Sequence, residues 1–234
     1  MAKDVIIALD FPTREETLSF LDQFPQDEKP FVKIGMELFY AEGPQIVREI
    51  KARGHKIFLD LKLHDIPNTV KRAMAVLSQL DVDMTNLHAA GASEMMRGAL
   101  EGLTRPDGTR PLLIAVTQLT SISPEMLEKE LLISRPMEET VMSYAENASC
   151  SGLDGVVCSP LEAAKVKACC GESFLTVTPG VRFAGGELGD QKRVMTPEKA
   201  RESGCDYIVM GRPITRDEAP VSAYRRAKQE FLHK

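Results

Sequence analysis

No apolar run in this sequence approaches the ~20 residues that a membrane-spanning helix requires; the longest, such as 5–9 and 112–116, have the length of strands. The opening Met1-Ala2-Lys3-Asp4 leads straight into the first of them without the build of a signal peptide, so a cytoplasmic protein with no membrane partner is expected. Cysteine is sparse and odd in number. Cys150, Cys158, Cys169, Cys170 and Cys205 form no CxxC pair, which argues for free thiols over a disulfide framework or a zinc site. A basic excess is also missing: 29 Lys+Arg against 34 Asp+Glu leave a net charge of −5. Nucleic acid is therefore not expected as a partner, because duplex binding needs a basic face. A local basic pocket for a small anion is compatible with this balance.

The residues that are present describe a globular chain, 43% hydrophobic and 27% charged. Strand-like runs at 5–9, 31–35, 56–63, 84–88, 111–119, 155–158, 174–178 and 207–211 alternate with helical stretches. The helices are expected at 14–23, 44–53, 67–80, 93–103, 124–151 with a break near Arg135-Pro136, 160–168, 197–203 and 220–232. Short continuous apolar strands suit a parallel sheet covered on both faces. Eight such units in 234 residues predict one (β/α)₈ TIM barrel, a single domain over 1–234. A doubly wound open sheet fits less well, because Asp10-Phe11-Pro12-Thr13 stands where that fold usually carries GxGxxG.

In such a barrel the active site lies at the C-terminal strand ends. Those ends hold Asp10, Lys33, Asp60 with Lys62, Thr120, Thr178 and Gly211-Arg212. Alternation on the third strand places Phe58, Asp60 and Lys62 on one face and Leu59, Leu61 and Leu63 on the other. The charged pair then points into the barrel mouth, its members about 6.6 Å apart along the strand. An Asp-x-Lys there is a buried salt bridge or a catalytic pair. Lys33 on the neighbouring strand and Asp65 just beyond tilt the reading towards chemistry. Asp65 also reads as a cap for a helix beginning at Pro67. His64 and His88 are poor metal ligands, since two lysines in the same mouth repel a cation. Arg212 follows the last strand, where barrels commonly bind phosphate. Arg182, in Thr178-Pro179-Gly180-Val181-Arg182, opens a long loop holding Gly185, Gly186, Gly189 and Gln191, a candidate lid.

The string Asp60-Leu61-Lys62-Leu63-His64-Asp65-Ile66-Pro67-Asn68-Thr69 resembles the signature of the orotidine 5′-phosphate decarboxylases. The resemblance extends through Ile7-Ala8-Leu9-Asp10, Val32-Lys33-Ile34-Gly35, Val116-Thr117-Gln118-Leu119-Thr120-Ser121, Thr178-Pro179-Gly180-Val181-Arg182 and Gly211-Arg212. It implies a cofactor-free and metal-free decarboxylase of orotidine 5′-phosphate, a homodimer with shared active sites. Lys62 would donate a proton to C6 within a network of Lys33, Asp60, Lys62 and Asp65. The partner subunit would supply Asp65, Ile66 and Thr69, and Asn68 would join the substrate-binding set. Asp10 would bind ribose, Thr120 the pyrimidine, and Gln191, Arg212, Arg182 and the Gly211 amide the phosphate. The chemistry is consistent: loss of CO₂ leaves a C6 carbanion with no adjacent carbonyl, so the site must supply electrostatic stabilisation and a proton. Lys62 beside carboxylates is expected to keep its proton and act as an acid, not as an imine-forming amine. A metal-dependent sugar-phosphate barrel is expected to have an acidic ligand in place of Lys33. A nucleotide-sensing barrel would need no Asp60/Lys62 pair.

Overall fold

The structure, a computed structural model, describes residues 3–185 and 195–232. Eight parallel strands close into a barrel in chain order: β1 (Asp4–Ala8), β2 (Phe31–Gly35), β3 (Ile57–Leu63), β4 (Met84–His88), β5 (Leu112–Val116), β6 (Gly155–Val157), β7 (Leu175–Thr178) and β8 (Tyr207–Met210). β8 pairs back onto β1 through Val5↔Ile208 and Ile7↔Met210. The outer helices are α1 (Arg14–Leu21), α2 (Met36–Glu42), α3 (Pro44–Ala52), α4 (Pro67–Leu77), α5 (Ala92–Leu103), α6 (Pro124–Lys129), α7 (Met137–Cys150), α8 (Ala163–Cys170), α9 (Pro197–Glu202), α10 (Arg212–Thr215) and α11 (Pro220–Leu232). This is the expected (β/α)₈ barrel.

Local chemistry sets several boundaries. Thr13, Ser123 and Thr196 cap α1, α6 and α9, each side chain accepting a backbone N–H of the first turn. Proline follows the cap in α6 and α9, where its missing N–H costs nothing. The 124–151 stretch breaks as expected, between α6 and α7. Two short helices were not expected: α2 follows β2 with no side-chain cap, and α10 has only four residues. Neither is long enough to show a clear apolar stripe.

The apolar residues divide into two layers. Ile6, Ala8, Phe31, Phe58, Met84, Ile114, Val177 and Val209 fill the barrel interior. The opposite strand faces, including Ile7, Ile34, Leu59, Leu87 and Ala115, join the helices in the larger core. Along β2 to β4 the inward positions change character towards the C-terminal end. Phe31 gives way to Lys33, Phe58 to Asp60, and Met84 to Asn86. The apolar lower part is thus a plug that floors a site, and the polar upper part stands beside it. Beneath the barrel, buried Lys167 meets Asp206 at 2.6 Å and donates to the carbonyls of Glu172 and Phe174, each at 2.9 Å. That fixes the α8–β7 turn against the start of β8. Among the described residues no helix is long and apolar enough to cross a membrane.

Candidate active site

The upper barrel holds a continuous charged row. Lys33 Nζ lies 3.1 Å from Asp10 Oδ1 and 3.4 Å from Asp60 Oδ2, and Lys62 Nζ lies 2.7 Å from Asp60 Oδ1. Asp10 is largely solvent-facing, whereas Asp60 and Lys33 are nearly enclosed. Burial pushes the Asp60 carboxyl up, but Lys33, Lys62 and hydrogen bonds from Lys62 and Asn86 outweigh it and hold the group below the ordinary aspartate range. Burial likewise pushes Lys33 down, and the carboxylates of Asp60 and Asp10 more than reverse this. Asp60 is therefore held as the carboxylate and Lys33 as the ammonium. Gly35 leaves it room, because a Cβ there would stand 3.0 Å from Lys33 Nζ.

The path of β3 differs from the regular alternation expected of it. Leu59 pairs with Thr85 and Leu63 with Leu87, so Asp60, Leu61 and Lys62 together oppose Asn86 alone. Such a bulge bends the strand and re-aims its side chains. Lys62 adopts φ 53°, a left-handed conformation that costs a non-glycine residue about 1–2 kcal/mol. The bend brings its ammonium back onto Asp60, closer than the strand spacing implied. Its N–H, without a ladder partner, donates to Asn86 Oδ1 at 2.8 Å, and Asn86 Nδ2 donates to Asp60 Oδ1 at 2.7 Å. The motif reading missed Asn86. Alternation applied to β4, as to β3, points it inward two residues above Met84.

Over this row opens a cavity of about 290 Å³, in the range of small-ligand sites. Lys33, Asp60 and Lys62 form one wall; Phe58, Val116, Val157, Val177 and Val209 form the apolar floor; Gln118, Leu119, Thr120 and Ser121 edge it. Sequence reasoning singled out Thr120 but not Gln118. Near the end of β7, the Arg182 guanidinium is held below its usual range by burial and by the charge of Arg212. Two guanidiniums within electrostatic reach mark a place suited to an anion. Gly211 precedes Arg212, and a Cβ on it would stand 3.4 Å from Ala8 Cβ and 3.6 Å from Asp10 Oδ2. Thr178 donates to the Tyr207 carbonyl at 3.0 Å and serves the barrel wall. Gln191, Gly186 and Gly189 lie outside the described residues.

The segment after β3 points elsewhere. Asp65, Ile66, Asn68 and Thr69 are exposed and do not line the cavity of their own chain. The capping reading of Asp65 is corrected: its Oδ1 accepts from the N–H of Ile66 at 2.6 Å, while the N-cap of α4 is Ile66, with no side-chain bond. Pro67 at the first helical position removes one N–H that a cap would serve. α4 is held close to α5 because a Cβ at Gly102 would strike the Lys71 carbonyl. His64 and His88 stack loosely, ring centroids 5.7 Å apart. Burial, His64 and Lys62 together keep His88 below its ordinary value. None of the five cysteines forms a disulfide, and among the described residues no group of three or more His, Cys, Asp or Glu is placed to hold a metal.

Similarity to known proteins agrees with this geometry. The chain is 56% identical over 234 residues to the orotidine 5′-phosphate decarboxylase of Bacillus cytotoxicus, covering 99% of this chain and 98% of that one. It is 58% identical over 226 residues to the protein of the same name from Streptococcus thermophilus, covering 97% and 96%. The crystal structure of the Lactobacillus acidophilus orotidine 5′-phosphate decarboxylase superposes with a TM-score of 0.88 at 44% identity, covering 98% of this chain and 99% of that one. Residues 3–227 match the profile of one family. The chain thus belongs to the orotidine 5′-phosphate decarboxylase / HUMPS family and, like the relatives it matches along its whole length, is a carboxy-lyase.

Proposed function

We propose that this protein converts orotidine 5′-phosphate to UMP and CO₂ in de novo pyrimidine biosynthesis, with no cofactor. The observation that carries the reading is the Lys33–Asp60–Lys62 row, its members 3.4 Å and 2.7 Å apart, along one wall of an apolar-floored cavity. The C6–carboxylate bond breaks heterolytically and leaves its electron pair on C6. The Lys62 ammonium, oriented by Asp60, offsets the developing charge and transfers a proton to C6; solvent then restores the proton to the amine. Lys33 spaces Asp60 from Asp10 and, with Asp10, receives the ribose. Thr120 meets the pyrimidine. Arg212, Arg182, the Gly211 N–H and Gln191 take the phosphate, whose binding energy is spent at the reacting centre.

The exposed residues Asp65, Ile66 and Thr69 complete the site of a second subunit in a homodimer, and Asn68 beside them joins the substrate-binding set. Their outward position on each chain, with Ile66 67% exposed, supports that assignment. The reaction is tested by the loss of orotidine 5′-phosphate absorbance in exhaustively chelated protein. Full turnover supports the reading, and activity that returns only on adding Mg²⁺ refutes it. Sharing is tested by mixing inactive Asp65→Ala with inactive Lys62→Ala. Partly restored activity supports a shared site. No recovery despite demonstrated subunit exchange rejects it.

A further inference from the structure

Asn86 is fully buried on β4, makes two short hydrogen bonds and does not line the cavity. Its Oδ1 takes the Lys62 backbone N–H, and its Nδ2 holds Asp60 Oδ1, the same oxygen that receives the Lys62 ammonium. The contacts close a ring that runs from the Lys62 backbone through Asn86 and Asp60 to Lys62 Nζ. We infer that Asn86 is the positioning residue for the proton donor, fixing both ends of Lys62 at once. This rests on the reading of Lys62 as that donor.

The bulge explains the need. With three residues of β3 opposite one of β4, the left-handed Lys62 has no ladder carbonyl for its N–H. Thr85 anchors the strand just below by donating to the Leu59 carbonyl at 3.0 Å. Above it, only a side chain with an acceptor at one end and a donor at the other serves both neighbours. The Lys62 N–H demands the acceptor, and the ionised Asp60 demands the donor. An amide meets both demands. An aspartate there would set a second carboxylate against Asp60, and the two could coexist only by sharing a proton.

The test compares Asn86→Ala, Asn86→Asp and Lys62→Ala in steady-state kinetics on orotidine 5′-phosphate and in calorimetric binding of UMP. Asn86→Ala is expected to lower kcat at least tenfold, the loss that accompanies one charge-assisted hydrogen bond, while KM and the UMP Kd stay within threefold. Asn86→Asp, equal in size, is expected to keep most of its activity near pH 5.5 and to lose it as pH rises and the shared proton leaves, a profile that the parent lacks. An Asn86→Ala protein with parental kcat overturns the inference. So does an Asn86→Asp protein with the parental pH profile. If neither Asn86 variant folds while Lys62→Ala does, Asn86 is structural and the inference falls. A fully active Lys62→Ala removes the donor reading itself, a failure distinct from the others.

Discussion

Asp60→Asn is the perturbation whose consequence follows most directly from the distances. The change keeps the shape of the side chain and removes one charge that serves two ammonium groups, at 2.7 Å and 3.4 Å. With an effective dielectric of about 20, those separations correspond to roughly 6 and 5 kcal/mol of attraction. Desolvation of the enclosed ions offsets most of this, and removing one member of such a buried group leaves a net loss of about 3–5 kcal/mol. In the variant, Lys33 and Lys62 repel each other with no anion between them, so one swings out to solvent or gives up its proton. Either result removes the ordered donor. If the whole loss falls on the transition state, kcat/KM drops about 10²–10⁴-fold. The assay is the initial rate of orotidine 5′-phosphate consumption, with UMP binding measured in parallel to show a competent cavity. A variant that binds UMP normally and retains kcat/KM within threefold of the parent would show that Asp60 does not hold the two ammonium groups in place for the reaction.

Three further outcomes are expected. Arg212→Ala should lower kcat/KM for the nucleotide about 10- to 100-fold, the worth of one charge-assisted phosphate contact, and leave the phosphate-free nucleoside unaffected; equal losses on both substrates remove Arg212 from the phosphate site. Lys167→Ala strips the buried partner from Asp206 and should cost about 3 kcal/mol, read as a lower urea midpoint; an unchanged midpoint contradicts the assigned role. His55, with Nδ1 against the Pro30 carbonyl at 2.9 Å, and His88 are both held below the ordinary 6.5 by burial, so the unfolded chain binds their protons first. Stability should be full above that value and fall as pH drops through the folded-state values, by up to about 1.4 kcal/mol per pH unit for each histidine. A urea midpoint that does not change between pH 7.5 and 5.5 contradicts this.

The fold was legible because a buried parallel barrel writes its strands as short apolar runs, and β2 and β4 match their expected spans residue for residue. Asp60 and Lys62 were found because they interrupt such a run on the inward face. What escaped was whatever depends on register. The bulge in β3 arises from pairing with β4, and neither strand alone signals it. Asn86, a common polar residue flanked by Thr85 and Leu87, shows its part only once it stands opposite Lys62. The seven-residue α2 and four-residue α10 follow strands directly, too short for a helical period to declare itself. The placement of Asp65, Ile66, Asn68 and Thr69 on the outside of their own chain follows from the bend at Lys62 and the start of α4 at Pro67, which turn that segment away from the cavity.

The most direct test of the central claim is the rate of orotidine 5′-phosphate decarboxylation by Lys62→Ala beside the parent, both stripped with chelator and both shown to bind UMP. Undiminished turnover is expected of the parent and a loss of about 10²–10⁴-fold of the variant, the span that a positioned general acid supplies. A Lys62→Ala protein that turns over within tenfold of the parent would contradict that claim.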